Sequence, residues 1–326
     1  MINKSRIKKI LVVSLTNIGD VIMTIPVLSV LRAEFPDTRI DFICGRSPIS
    51  LFQGSSDLGE LFAYDKKWSL VQKWVWVREI AKEKYDLVVD LRHTLIPLLV
   101  GARYRTKMIR SKRKNIVSAR DKHLSRLKDL GLNINNRKPI SLFSAGETEK
   151  LNQKLVKLGF KPGSRYAVVA PGGNSSTKRW TNSGFTNVTQ SLIHENQLDV
   201  VLTGGQGEGI PSLSGERIFD LTGKTTLREL AALIAGAEVV VANDSSTAQL
   251  AQELGVRTAV IFGPTNHLKY ASVSDRVKVI RLDLECSPCE AAQCQIERRK
   301  CLDDLTPEIV KSTIDGLMIK KHERTH

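Results

Sequence analysis

Residues 9–20 read Lys9-Ile10-Leu11-Val12-Val13-Ser14-Leu15-Thr16-Asn17-Ile18-Gly19-Asp20, and the change of character inside this stretch decides the fold. The apolar run 9–15 is too short for a buried helix and reads as a buried strand. A helical segment follows over residues 19–34, with Pro26 inside it. Strands are expected again over 39–44, 61–64 and 86–91, with a Trp-rich helix over 68–84. Short apolar runs separated by helix-length segments mean parallel strands joined by crossovers.

The same alternation restarts after residues 131–148, where scattered Asn, Pro, Ser and Gly suggest a linker. Strands are expected over 166–170, 199–203, 218–221, 238–242 and 258–262. Helices are expected from about Asn182 and over 227–235 and 245–254, with a last one after Thr306-Pro307, where Pro fits the first helical position. The reading is therefore α/β: two Rossmann-like domains, 1–148 and 149–326, facing across a cleft, with the final helix free to pack back on the first.

Several function classes fall away. A dinucleotide fingerprint needs G-x-G-x-x-G after the first strand, but only Gly19 stands there, which disfavours a dehydrogenase. Gly223-Lys224-Thr225 ends like a P-loop, yet the required earlier glycine is Ile218. No run of 18 apolar residues exists, so no spanning helix is expected, and no secretory cleavage site follows the basic N-terminus. The expected compartment is the cytosol.

What remains is a set of strand-to-helix junctions. Asn17, Gly19 and Asp20 lie beyond the carboxyl end of the first strand, the usual ligand position in an open α/β sheet. Asp20 there suits a general base, or a carboxylate facing a helix dipole. The loop Pro171-Gly172-Gly173-Asn174-Ser175-Ser176-Thr177-Lys178-Arg179 offers close backbone approach and two cations, which suits phosphate. Asp244, Ser245 and Ser246 open a helix whose free N–H groups suit a diphosphate; either Asp244 or Ser245 is a candidate N-cap.

The net charge of +15 is concentrated in the first half, +13 over residues 1–150 against +2 over 151–326. Residues 103–128 hold eleven Lys/Arg, among them Lys112, Arg113 and Lys114, against Asp121 alone. Such a segment attracts nucleic acid, a phospholipid surface or a phosphorylated substrate, unless it is simply a solvated loop. Few aromatics interleave the charges, which argues against a single-strand stacking platform.

Taken in order, residues 14–21 with Thr24-Ile25-Pro26, then Gly223-Lys224-Thr225-Thr226-Leu227, Val241-Ala242-Asn243-Asp244-Ser245 and Ile261-Phe262-Gly263-Pro264-Thr265 resemble the glycosyltransferase family 9 heptosyltransferases. The resemblance implies a GT-B enzyme that moves a sugar with inversion from a nucleotide diphosphate sugar, usually ADP-heptose. The acceptor is usually the lipopolysaccharide core at the cytoplasmic face of the inner membrane. No cofactor is required for catalysis. By position, Asp20 looks like the base, and Lys178 with Arg179 like the cations that meet the donor phosphates. Asp244, Ser245, Ser246, Thr226 and Leu227 match the donor side; Asn17, Gly19, Lys112, Arg113 and Lys114 fall on the acceptor side. The family commonly has Gly where Ser246 stands and His where Gln249 stands. A catalytically degraded nucleotide-sugar-binding protein is thus the alternative. The resemblance implies no nucleic-acid partner.

Cys286, Cys289, Cys294 and Cys301 form a C-x2-C-x4-C-x6-C set. In a cytosolic chain four thiolates at this spacing suit a structural zinc or an iron–sulfur cluster, or remain plain thiols. Cys44, alone at a strand end, is expected in the core.

Overall fold

The computed structural model describes residues 2–107, 117–173, 175–208, 213–296 and 298–319. The chain divides into two compact units, Met1–Leu142 and Phe143–His326. The division falls before the expected 148/149 boundary because residues 144–148 already belong to a helix of the second unit, capped by a reciprocal Ser144–Glu147 box. The residues read as a linker are pinned to the first unit instead. Lys138 N–H donates to Ser29 O at 3.0 Å and Ser141 N–H to Asp57 Oδ2 at 2.8 Å.

In the first unit the strands are β1 (Lys9–Val13), β2 (Arg39–Gly45), β3 (Leu61–Tyr64), β4 (Leu87–Asp90) and β5 (Tyr104–Arg105). All pairs are parallel, in the order β3-β2-β1-β4-β5. Consecutive residues Ile10 to Val13 are all fully buried, as befits strands covered on both faces. The helices are α1 (Ile18–Ile22), α2 (Ile25–Glu34), α3 (Leu70–Ala81), α4 (Ile96–Leu99) and α5 (Ala119–Lys128). The single helix expected over 19–34 is broken at Met23-Thr24. Pro26 lacks an N–H and would crowd the carbonyl a turn earlier, so the chain restarts with Pro26 in the first turn of α2. The Trp-rich helix starts later than expected, at Leu70, where Ser69 and Gln72 form a capping box. Part of the basic stretch is ordered as β5 and α5 rather than loop. Their two-residue strand and strongly polar helix carry little hydrophobic pattern, so periodicity does not reveal them.

In the second unit the strands are β6 (Tyr166–Ala170), β7 (Asp199–Leu202), β8 (Ile218–Asp220), β9 (Val239–Asn243), β10 (Thr258–Ile261) and β11 (Val277–Ile280). The order β11-β10-β9-β6-β7-β8, all parallel, is that of a doubly wound Rossmann sheet. The helices are α6 (Ala145–Lys157), α7 (Asn182–His194), α8 (Leu227–Ala235), α9 (Ser246–Glu253), α10 (His267–Tyr270), α11 (Lys300–Asp303) and α12 (Pro307–Ile319). The last helix, α12, buries Val310, Ile314 and Leu317 in the core of its own unit, beside Trp180, Phe185 and Leu192. No described helix is long and apolar enough to cross a membrane.

Candidate active site

Each sheet reverses its winding beside its first strand, between β1 and β4 in one unit and between β6 and β9 in the other. Ligands of open α/β sheets bind outside the strand carboxyl ends at these points.

In the first unit β1 passes through Ser14 to Thr16 into α1. Gly45 permits this course: a Cβ at position 45 would stand 2.3 Å from the Thr16 carbonyl oxygen. Asp20 lies in the first turn of α1, half-buried, and its Oδ2 accepts from Asn17 Nδ2 at 3.0 Å. Asn17 takes the N-cap position without a side-chain cap bond, so its amide is committed to orienting the carboxylate. Its Oδ1 accepts from Lys66 Nζ at 3.4 Å. Across the reversal, Asp90 ends β4 almost fully buried; its Oδ1 accepts from Arg92 N–H at 2.8 Å and its Oδ2 from Thr94 Oγ1 at 3.0 Å. Asp90 therefore shapes the facing loop. Lys112, Arg113 and Lys114 lie outside the described residues.

In the second unit the chain leaves β6 through Pro171, Gly172 and Gly173 and makes one tight helical turn over Ser176–Lys178. That turn returns Lys178 to the reversal point, where Nζ donates to Asp244 Oδ2 at 2.7 Å. The Asp244 side chain is 7% exposed and that of Lys178 37%. The Tyr270 ring lies 5.8 Å from the same ammonium. Arg179 folds inward and donates Nε to Gly173 O at 2.8 Å. Ser245, not Asp244, caps α9, its Oγ accepting from Ala248 N–H at 3.4 Å, and Ser246 is the first helical residue. Thus Lys178, Asp244, Ser245 and Ser246 come together, with Arg179 bracing the loop. Thr226 and Leu227 share the same sheet edge, but β8 lies two strands from β6. The Thr226 hydroxyl is occupied as the N-cap of α8, reciprocated by Glu229.

Several supports of the site lie outside the residues singled out by the sequence. Asn243, wholly buried at the end of β9, accepts from Trp180 N–H at 3.0 Å and donates to Pro171 O at 2.7 Å, so one amide ties both ends of the lysine loop. Its signal was a polar residue closing an apolar strand. Trp180 lies against Gly184, where a Cβ would come within 2.4 Å of the indole. Gln249, 3% exposed, donates to Tyr270 O at 2.9 Å, so a neutral amide fills the place where the family commonly has His. Arg299 donates to Ser176 O at 2.6 Å and Arg179 O at 2.8 Å.

Arg299 also joins the lysine loop to the cysteine segment. Cys286, Cys289, Cys294 and Cys301 line one cavity of about 320 Å³, together with Thr177, Pro264 and Arg299. Burial raises the Cys301 thiol pKa, and the other three thiols add to the rise. Among the described residues no three potential ligands are gathered into a metal-binding group. Cys44 is in the core as expected, its thiol pKa pushed up to about 12 by burial.

The sequence profile of glycosyltransferase family 9 (heptosyltransferase) matches residues 74–300, more than two thirds of the chain. The chain belongs to glycosyltransferase family 9. It is 30% identical over 176 residues to a lipooligosaccharide heptosyltransferase 2 of Campylobacter jejuni, a match covering 51% of this chain and only about half, 52%, of that relative. Against lipopolysaccharide heptosyltransferase 3 of Escherichia coli the identity is 24%, over 77% of this chain and 82% of the relative. The solved ADP-heptose lipopolysaccharide heptosyltransferase II of E. coli shares the fold at a TM-score of 0.75 and 19% identity, covering 96% of this chain and 99% of that one. Two Rossmann-like units in a family 9 chain place it in the GT-B fold class.

Proposed function

We propose that this family 9 member is an inverting glycosyltransferase that moves a heptose from an ADP-heptose-type donor to a hydroxyl of a lipopolysaccharide-core-type acceptor. The observation that carries the reading is chemical complementarity between the two reversal points: an oriented carboxylate at one, and a cation beside a helix N-terminus at the other. Names of the relatives and of the solved E. coli enzyme support the sugar and the nucleotide.

In this mechanism Asp20 takes the proton of the acceptor hydroxyl. The freed oxygen attacks the anomeric carbon from the face opposite the nucleotide, and the bond from that carbon to the β-phosphate oxygen breaks. The electron pair leaves on the diphosphate, where Lys178 and the first N–H groups of α9 stabilise it. Asp244 holds the lysine in place before the donor arrives, and Arg179 keeps the loop closed. Thr226 and Leu227 fall on the nucleotide side, Asn17 and Gly19 on the acceptor side. Protein groups supply all of this chemistry, so no cofactor enters a step. The acceptor is lipid-linked, which makes the enzyme a peripheral one at the cytoplasmic face of the inner membrane.

The test is transfer by purified protein, with Asp20→Asn as control. The variant should bind ADP as wild type does and lose transfer by about two to four orders of magnitude, the usual worth of a positioned base. ADP binding without transfer by the wild type would instead favour a degraded binding protein, in which Ser246 and Gln249 stand for lost function.

A further inference from the structure

Helix α3 is apolar on both sides. Its inner face buries Val77 and Ile80 with Ile96 and Val100 of α4 against the sheet. Its outer face leaves Leu70 84%, Val71 71%, Trp74 56% and Val75 48% exposed. Beside it, α4 and the residue before it expose Leu95, Leu98 and Leu99. Because the two helices share one buried cluster, these seven side chains belong to one side of the unit. A helix hydrophobic all round is normally covered by something, and a continuous exposed apolar patch marks an interaction surface.

The charges around the patch say what covers it. Residues 65–84 and 91–107 hold ten lysines and arginines against three acids, Asp65, Glu79 and Glu83. Lys66, Lys67, Arg78, Arg103, Arg105 and Lys107 are exposed. The Arg78 guanidinium stacks 5.3 Å from the exposed Trp74 ring. Apolar side chains and tryptophan ringed by cations match the boundary between acyl chains and anionic headgroups. A protein partner of ordinary composition would meet this patch with acids for the rim, whereas a phospholipid surface supplies uniform negative charge.

We propose that the outer faces of α3 and α4 dock on an anionic phospholipid bilayer, inserting Leu70, Val71, Trp74, Leu98 and Leu99 at its interface. The surface begins at the candidate base: Lys66, at the entry to α3, donates to Asn17, which in turn donates to Asp20. Docking there brings a lipid-anchored acceptor to Asp20, a consequence that rests on the reading of the preceding section. The docking itself does not.

The experiment is cosedimentation of the full chain with vesicles of phosphatidylglycerol and phosphatidylethanolamine, against vesicles of phosphatidylcholine. Wild type should bind the anionic vesicles and release with salt. Leu70→Ser/Trp74→Ser should lower the partition on the order of 100-fold, the worth of withdrawing two large apolar groups. Its melting temperature should be unchanged, since both residues are exposed. The same variant should keep wild-type transfer to a deacylated, soluble core acceptor and lose it on the vesicle-embedded one. Wild type that ignores anionic vesicles, or a variant that binds them equally well, overturns the proposal. So does a wild-type dimer that the variant converts to a monomer without vesicle binding, which would assign the patch to a second copy. Vesicle binding with no transfer to any acceptor would leave the docking standing and refute the catalytic reading alone.

Discussion

Replacing Lys178 by Met removes the ammonium and keeps most of its stem, so the perturbation is nearly pure charge. Nζ sits 2.7 Å from Asp244 Oδ2. Two unit charges about 4 Å apart attract by ~4 kcal/mol at an effective dielectric of about 20, an upper figure here because more than a third of the lysine is exposed. With that discount we expect Lys178→Met to destabilise the protein by about 1–2 kcal/mol, since Asp244 keeps its charge in a site 7% exposed and loses its cation. For a unit of this size that is a fall of roughly 3–6 °C in melting temperature. Asp244→Asn in the same background should return most of it. ADP binding separates support from function. A charge-assisted contact to phosphate contributes about 2–3 kcal/mol, so calorimetry should show ADP bound roughly 30- to 150-fold more weakly by Lys178→Met. Asp244→Asn alone keeps an acceptor oxygen for the lysine and should change ADP affinity by less than about threefold. ADP bound by Lys178→Met as tightly as by wild type refutes the donor role and leaves a structural ion pair.

Gly45→Ala should disturb the Asp20 loop, because its methyl group would press on the Thr16 carbonyl at 2.3 Å; we expect a loss of about 1–3 kcal/mol by denaturant unfolding, with transfer falling further than nucleotide binding. Arg299→Ala should weaken ADP binding while leaving the fold intact by circular dichroism, since the arginine holds two carbonyls of the lysine loop; unchanged affinity would show that the loop stands without it. The Glu147 carboxyl is held down to about 2 by the Arg228 guanidinium 2.9 Å away and by Ser144. Its folded pKa is below the unfolded one, so its stabilisation is full above about pH 4.5 and is lost as the pH falls towards 2. Glu147→Gln should accordingly be less stable than wild type at neutral pH, with the gap closing in acid; a constant gap across that window would contradict the assignment. Metal analysis of anaerobically purified protein settles the cysteine cavity. One equivalent of zinc or an iron–sulfur absorbance, lost to a chelator together with several degrees of melting temperature, would show that Cys286, Cys289, Cys294 and Cys301 close on a metal. Metal-free protein with four titratable thiols would show that they do not.

Most of the sheet was legible because parallel strands buried on both faces are unbroken apolar runs. The stretches at 9–15, 166–170 and 258–262 could be little else. The strands that escaped notice were β5, two residues long, and β11, whose Lys278 breaks the run. The small helices α4, α10 and α11 are single turns without room for a period. Only the first turn of helix α6 falls in the polar stretch 131–148, where Ser144 and Glu147 spell its capping box; the rest of the helix carries few apolar residues to mark a period. At the candidate site the sequence could place Asp20, Lys178, Asp244 and Ser245 on strand-end loops. It could not divide the work between Asp244 and Ser245, because either residue type caps a helix. The roles of Asn243 and Arg299 depend on contacts across 63 to 123 residues of chain, which no local pattern records. The apolar outer face of α3 was visible as a Trp-rich helix, but only its burial shows which half of those side chains has no protein cover.

Transfer as proposed is a single displacement at a sugar carbon with Asp20 as the base. The most direct measurement is the anomeric configuration of the product formed from an α- or β-linked ADP-heptose and a deacylated core acceptor, read by nuclear magnetic resonance during the reaction. A single displacement gives a product of opposite configuration to the donor and one ADP released per sugar transferred, with the rate lowered by about two to four orders of magnitude in Asp20→Asn. Retention of configuration, or full turnover by Asp20→Asn, would contradict it.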